Sequence, residues 1–151
     1  MKTAVFPGSF DPITIGHVDI IHRALSMFDR IYLSIGVNSD KTPFFDLELR
    51  KSWLNEIFKE EDRVIVSHYS GLTVDYCQSI GARFILRGLR SSGDFEFEKT
   101  IAQLNHSLNS RIETFFLISQ PQYAHISSTI VREIVKYGGD VSSFIPDQVK
   151  W

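Results

Sequence analysis

Two stretches of the chain carry residue types suited to phosphate chemistry. The first is Phe6-Pro7-Gly8-Ser9-Phe10-Asp11-Pro12-Ile13-Thr14-Ile15-Gly16-His17. It links an apolar run, Thr3 to Phe6, to a segment with helical spacing from His17 to Phe28. Two prolines and two glycines in this connection fix an unusual backbone path. A hydroxyl, Ser9, and an imidazole, His17, stand at its two ends. Gly16 lets a phosphate approach the backbone, and the amides of a helix N-terminus favour an anion. The turn is expected to receive a nucleotide phosphate. A lone histidine would read as a structural group; the glycine before it and the cations on neighbouring loops favour a functional one. The second stretch is Ile126-Ser127-Ser128-Thr129-x-x-Arg132. Ser127 reads as a helix N-cap with Ser128 and Thr129 in the first turn, so hydroxyls sit beside free amides.

Other chemistries lack their signatures. GxxxxGK[ST], GxGxxG and GxSxG are missing, as are paired Cys/His spacings for zinc. The one cysteine, Cys77, lies in an apolar helical pattern without a basic neighbour and reads as a core thiol. The formal net charge is -2 and the pI about 6.2. Duplex nucleic acid and membrane surfaces usually demand a basic patch, so neither is an expected partner. No apolar run reaches the ~20 residues that span a bilayer, and no signal peptide is visible, so a cytoplasmic location is expected.

The elements that position these groups follow from periodicity. Short runs rich in Val, Ile and Phe, at Thr3–Phe6, Ile31–Val37, Arg63–Ser67, Arg83–Leu86 and Thr114–Ile118, suit strands buried on both faces. Between them lie helical stripes: His17, Ile20, Ile21, Ala24, Leu25 and Phe28; Trp53, Leu54, Ile57 and Phe58; Phe97, Ile101, Leu104 and Leu108; and Ile130, Val131, Ile134 and Val135. Gly138-Gly139 stops the last, and the tail from Asp140 to Trp151 is expected to form a short turn of helix and an apolar end. The 151 residues are expected to make a single domain. Its class is α/β, a five-stranded parallel sheet with helices on both faces. Most of the phenylalanines are expected in the core.

Ligands of such sheets bind beyond the carboxyl ends of the strands. The segments expected there bring Lys41, Arg87, Arg90, His17 and several hydroxyls to one edge. No strong base or covalent nucleophile is apparent among them. That fits attack by an anionic phosphate oxygen, where catalysis reduces to positioning and charge stabilisation.

Gly8-Ser9-Phe10-Asp11-Pro12 with Thr14-x-Gly16-His17, and Ile126-Ser127-Ser128-Thr129-x-x-Arg132, resemble the two signatures of the HxGH-type nucleotidyltransferases. Ile85-Leu86-Arg87-Gly88-Leu89-Arg90, followed by Asp94-Phe95-Glu96-Phe97-Glu98, narrows the resemblance to the bacterial phosphopantetheine adenylyltransferases, and it extends over nearly the whole chain. The resemblance implies a Rossmann-like nucleotidyltransferase fold. It implies transfer of the adenylyl group of ATP to 4′-phosphopantetheine, giving dephospho-coenzyme A and pyrophosphate. His17, Lys41 and Arg90 would be catalytic. ATP would meet Ser9, Phe10, His17, Gly88, Leu89, Arg90, Glu98 and the run Tyr123, Ala124, His125, Ile126, Ser127, Ser128, Thr129. The acceptor would meet Ser9, Lys41, Leu72, Thr73, Arg87 and Asn105. Mg²⁺ would be held mainly by ATP phosphates, with no protein metal site. A homohexamer and inhibition by forms of coenzyme A are also implied.

Phe6, Ser9, Gly71 and His106 depart from the residues usual in that pattern, which are Tyr, Thr, an acidic residue and Arg. Ser9 keeps the hydroxyl; Gly71 and His106 bear on the acceptor contacts. Two other readings stay open on the sequence. One is a nucleotidyltransferase acting on nicotinate mononucleotide or using CTP with a polyol phosphate. The other is a nucleotide-binding module without turnover.

Overall fold

The computed structural model describes residues 1–151. Along the chain run β1 (Thr3–Gly8), α1 (Ile15–Ala24), β2 (Arg30–Gly36), α2 (Leu47–Ile57), β3 (Val64–Tyr69), α3 (Thr73–Ser79), β4 (Phe84–Leu89), α4 (Ser92–Leu108), β5 (Glu113–Ile118) and α5 (Ser128–Lys136). The strands form one sheet in the order β3-β2-β1-β4-β5, and every pairing is parallel. The order reverses between β1 and β4, which is where such sheets open a ligand crevice.

The register shows how the crevice opens. β1 pairs with β2 along its whole length, from Thr3–Arg30 to Gly8–Ile35. With β4 it pairs only at Ala4–Phe84 and Val5–Ile85, although both strands run on. Pro7 has no amide with which to extend a ladder. Instead the Arg87 guanidinium donates to the Pro7 carbonyl.

Side chains alternate across the sheet. Ala4, Phe6, Leu33, Ile35 and Leu86 face the main core, closed by α1, α2, α5 and the tail residues Val141, Ile145 and Val149. Val5 and Ile85 face a smaller core with Val74 and Cys77 of α3, Ala82 and Ile112. Burial there pushes the Cys77 thiol up to about 12, so it is inert packing.

Several elements differ from the sequence expectation. β4 runs to Leu89, so Arg87 and Gly88 lie in the strand and Arg90 is the first residue beyond it. β1 likewise takes in Pro7 and Gly8, and β3 takes in His68 and Tyr69. The polar and glycine residues that suggested loops are tolerated because these strand ends line a cleft. α1 starts two residues early, behind its Thr14 cap, and ends at Ala24. The tail forms no helix. It crosses the main core, held by Ile15 N–H donating to the Phe144 carbonyl and Trp53 Nε1–H to the Lys150 carbonyl. The stripe on α4 is not core: Phe97, Ile101, Leu104 and Leu108 are exposed. Phe6, Phe10, Phe28, Phe45 and Phe58 are buried, whereas Phe44, Phe95 and Phe115 are also exposed.

Candidate active site

The β1–α1 turn is built around His17. Thr14 caps α1, accepting from the His17 amide at 3.4 Å, while the Thr14 amide donates to His17 Nδ1 at 3.0 Å. This reciprocal pair satisfies two amides that the helix start would leave open. A backbone amide only donates, so Nδ1 accepts and the ring proton sits on Nε2. The ring meets Phe10 edge-on at 5.2 Å and Phe6 at 6.2 Å between centroids. Burial against them, with Arg87 and Arg90 close by, lowers the pKa to about 4. At neutral pH His17 is therefore an uncharged N–H donor fixed in direction. Phe10 takes the left-handed backbone at φ 44°, a conformation that costs a non-glycine residue on the order of 1–3 kcal/mol. A Cβ on Gly8 would meet the Phe10 ring at 3.0 Å, so glycine there makes room for the ring beneath His17.

Three cavities meet at Ser9. The first, of about 340 Å³, is lined by Ser9, Phe10, His17, Gly88, Arg90 and Glu98 on one side and by Tyr123 and Ile126 to Thr129 on the other. The second, about 260 Å³, lies over β4 and α4 and is lined by Ser9, Tyr69, Thr73, Arg87, Glu98 and Asn105. The third, about 750 Å³, contains Lys41 and is lined by Ser9, Gly36, Thr129 and Arg132 among others. Ser9 is thus common to all three.

Charge is distributed unevenly among them. Glu98, though buried, holds Arg87 through two bonds, Nη2 at 2.7 Å and Nε at 2.9 Å. A buried carboxylate needs such a partner. The pair forms a partition between the first two cavities. Arg90 meets Asp94 at 3.2 Å but stays half-exposed. Lys41 is exposed and has no ion-pair partner. The start of α5 lines the first cavity: Ser127 accepts from the Ile130 amide at 3.2 Å, as expected of the cap, and Ser128 Oγ donates to the Pro12 carbonyl at 2.7 Å. That last bond ties the two signature stretches together across 116 residues.

Most of the residues singled out in the sequence converge here, with four exceptions. Leu89 is packed inward beneath the cleft and Leu72 is exposed at the start of α3. Ala124 and His125 lie outside the three cavities, and the His125 ring faces Phe144. Gly88 lines the first cavity, but its missing Cβ also serves packing, since a Cβ would meet Ile20 Cγ1 at 3.3 Å. The sequence reading quoted Thr14, Asp94 and Asp11 within motifs without giving them a role, and it missed Arg50. The Thr14 and Asp94 bonds span three or four residues and were open to a capping search. Asp11 acts on an element 33 residues away, and no spacing rule reports that. Tyr69 was also missed: its hydroxyl meets Thr73 Oγ1 at 2.8 Å, and its ring stacks on Tyr76.

No group of three or more His, Cys, Asp or Glu side chains is arranged to hold a metal ion. Glu98 and Asp94, the carboxylates lining the first cavity, are both engaged with arginines.

The cytidylyltransferase-like family matches residues 5–134. Curated proteins named phosphopantetheine adenylyltransferase are similar to the chain over nearly its whole length. That of Flavobacterium psychrophilum is 52% identical, covering 99% of each chain. That of Christiangramia forsetii is 54% identical, again over 99% of each. That of Bacteroides thetaiotaomicron is 44% identical over 97% of each. A solved structure from Vibrio parahaemolyticus, provisionally described as a nicotinate-nucleotide adenylyltransferase, superimposes with a TM-score of 0.72. It covers 99% of this chain and 96% of its own at 23% identity, and shares the fold.

Proposed function

This chain belongs to the phosphopantetheine adenylyltransferases within the cytidylyltransferase-like family, and from that premise we propose how its three cavities divide the reaction. The enzyme transfers the adenylyl group of ATP to 4′-phosphopantetheine, giving dephospho-coenzyme A and pyrophosphate in coenzyme A biosynthesis. ATP occupies the cavity of His17, Arg90 and the α5 start. The acceptor lies along Arg87, Thr73 and Asn105, with its phosphate toward Lys41. Ser9, common to all three cavities, stands beside the reacting phosphorus.

An oxygen of the acceptor phosphate forms a bond to the α-phosphorus of ATP as the bond from that phosphorus to the β-phosphate bridge breaks. Pyrophosphate leaves with the electron pair. The acceptor phosphate is largely ionised near neutral pH, its second pKa being about 6. No residue has to remove its proton. What remains is to hold the reactants in line and to stabilise charge on the α-phosphate oxygens. The observation that carries this reading is the His17 tautomer. The Thr14 amide occupies Nδ1, leaving Nε2–H as a fixed neutral donor in the wall of the first cavity. A donor that needs no reorganisation as charge develops is worth most in such a site. Arg90 and the α5 amides receive the departing phosphates. Mg²⁺, carried on the nucleotide, would neutralise phosphate charge; no carboxylate cage is required of the protein.

The whole chain acts as one domain in this reading. It also self-associates, to the homohexamer that the family resemblance implies. The support is the apolar stripe of Phe97, Ile101, Leu104 and Leu108, which this chain leaves uncovered. Light scattering that gives a monomer mass would refute that part. No helix is long and apolar enough to cross a membrane, and the enzyme is expected in the cytoplasm. Forms of coenzyme A are expected to inhibit by occupying the acceptor cavity.

The test is pyrophosphate release from Mg-ATP with each candidate acceptor. Release with 4′-phosphopantetheine and none with nicotinate mononucleotide is the expected result. The reverse preference would overturn the acceptor assignment. ATP binding without release from any acceptor would overturn the enzymatic one.

A further inference from the structure

Two buried charged side chains near the cleft bind nothing but backbone. Asp11 is 6% exposed and Arg50 5% exposed. The Asp11 carboxylate accepts from the Phe44 amide at 2.7 Å and from the Phe45 amide at 2.8 Å. Arg50 Nε donates to the Phe45 carbonyl at 2.9 Å, and its Nη1 donates to the Ser9 carbonyl at 2.7 Å. Residues 44 and 45 are therefore gripped from both sides, at their amides and at a carbonyl. The same two side chains grip the β1–α1 turn, one belonging to it and the other bonded to Ser9.

The position of these grips matters. Phe44 is the third residue after Lys41, with Pro43 stiffening the path between them. Lys41 itself is exposed and makes no side-chain contact that would hold it. Its distance from Ser9 is thus set through the backbone. On the other side, Phe10 holds its left-handed conformation between two carbonyls that are both pinned. Ser9 is pinned by Arg50, and the Asp11 carbonyl accepts from Arg132 Nη1 at 2.8 Å. Strain of that kind persists only where neighbours over-determine it.

We propose that Asp11 and Arg50 are positioning residues, which lock the Lys41 loop to the Ser9 turn and so fix where an acceptor phosphate meets the reacting phosphorus. The inference rests on the reading of Lys41 as the group that holds that phosphate. A buried charged group is weak evidence of stability by itself, even where backbone groups satisfy it. Its use here is registry: two loops far apart in sequence are held at one separation. Displacement of a positioning group by about 1 Å can cost a rate factor on the order of a hundred.

The test uses the full chain with Asp11→Asn, which keeps the shape but provides one acceptor where two are needed. Its KM for 4′-phosphopantetheine should rise by about tenfold or more, with the KM for ATP within about twofold. Added to Lys41→Ala, it should change acceptor use by less than about twofold, because the two act through one contact. Equal losses for both substrates, or additive losses in the double variant, would overturn the proposal. A second readout needs no substrate. Hydrogen exchange at the Phe44 and Phe45 amides should quicken by about tenfold in Asp11→Asn while β1 and β2 keep their protection. Loss of protection throughout the sheet would show a merely structural role and overturn it. Wild-type protein without turnover would refute the assigned function, yet the exchange result would still judge the clamp. Should Asp11→Asn not fold, Arg50→Lys takes its place in each measurement. Failure of both to fold would make the pair a folding element and overturn the proposal.

Discussion

The cavity proposed for the nucleotide and the cavity proposed for the acceptor share Ser9 and the Arg87–Glu98 partition, yet they are made by different physical means. On the nucleotide side, donors are fixed by helix starts: Thr14 sets the His17 ring, and Ser127 sets the first turn of α5. These bonds link residues three positions apart. On the acceptor side, the strand cation is already neutralised, since Glu98 holds Arg87 at two of its three guanidinium nitrogens. A free cation, Lys41, stands in the neighbouring third cavity, on a loop that other residues must hold in place. One half of the site is preorganised locally, by bonds within a single helix turn. The other depends on contacts between distant segments, and that is where a choice of acceptor can be made.

The sharpest way to separate the two halves is His17→Ala. Loss of a preorganised donor to an oxyanion costs about 10²–10³ in kcat, and ATP affinity should be nearly unchanged by isothermal titration. Near-normal turnover in the folded variant would remove His17 from the chemistry. Lys41→Ala should act on the other half. Loss of a charge-assisted bond to phosphate is worth about 1.5–3 kcal/mol, or roughly ten- to a hundredfold, read as the acceptor's kcat/KM with ATP binding intact. A loss that falls on ATP instead would merge the two cavities into one site.

Glu98→Gln tests the partition. It leaves the Arg87 guanidinium part-buried with a neutral partner, and stability should fall by about 1–2 kcal/mol in urea denaturation. An unchanged midpoint would mean that the pair separates charge without holding the fold. The smallest effect concerns pH. His17 has its pKa lowered to about 4 from an ordinary 6.5. Between those values the unfolded chain takes up a proton that the folded protein refuses. The contribution of His17 therefore leaves stability untouched above pH 6.5 and lowers it progressively as pH falls toward 4. Part of the loss measured by urea midpoints between pH 7 and pH 5 should disappear in His17→Gln. If the slope is the same in both proteins, the imidazole is not held neutral by its surroundings.

What the sequence made legible follows the same division. The five-stranded parallel sheet, the cap at Ser127 and the place of His17 could all be read locally, because periodicity and capping are short-range signals. Strand ends were misjudged where they line the cleft: Arg87 and Gly88 look like a loop but continue β4. The α4 stripe has helical periodicity, yet Phe97 and Leu104 face outward. Periodicity reports an apolar face without saying whether this chain or another covers it. The Asp11–Phe44 and Arg50–Ser9 bonds join residues 33 and 41 apart. Only the folded chain brings them together.

The most direct test follows the phosphorus itself. ATP labelled at the α-phosphate is incubated with Mg²⁺, the protein and 4′-phosphopantetheine. If the three cavities converge on that atom beside Ser9 and His17, the label passes into dephospho-coenzyme A as unlabelled pyrophosphate appears in equal amount. Label that stays in ATP with this acceptor, or moves only when nicotinate mononucleotide is supplied, would contradict it.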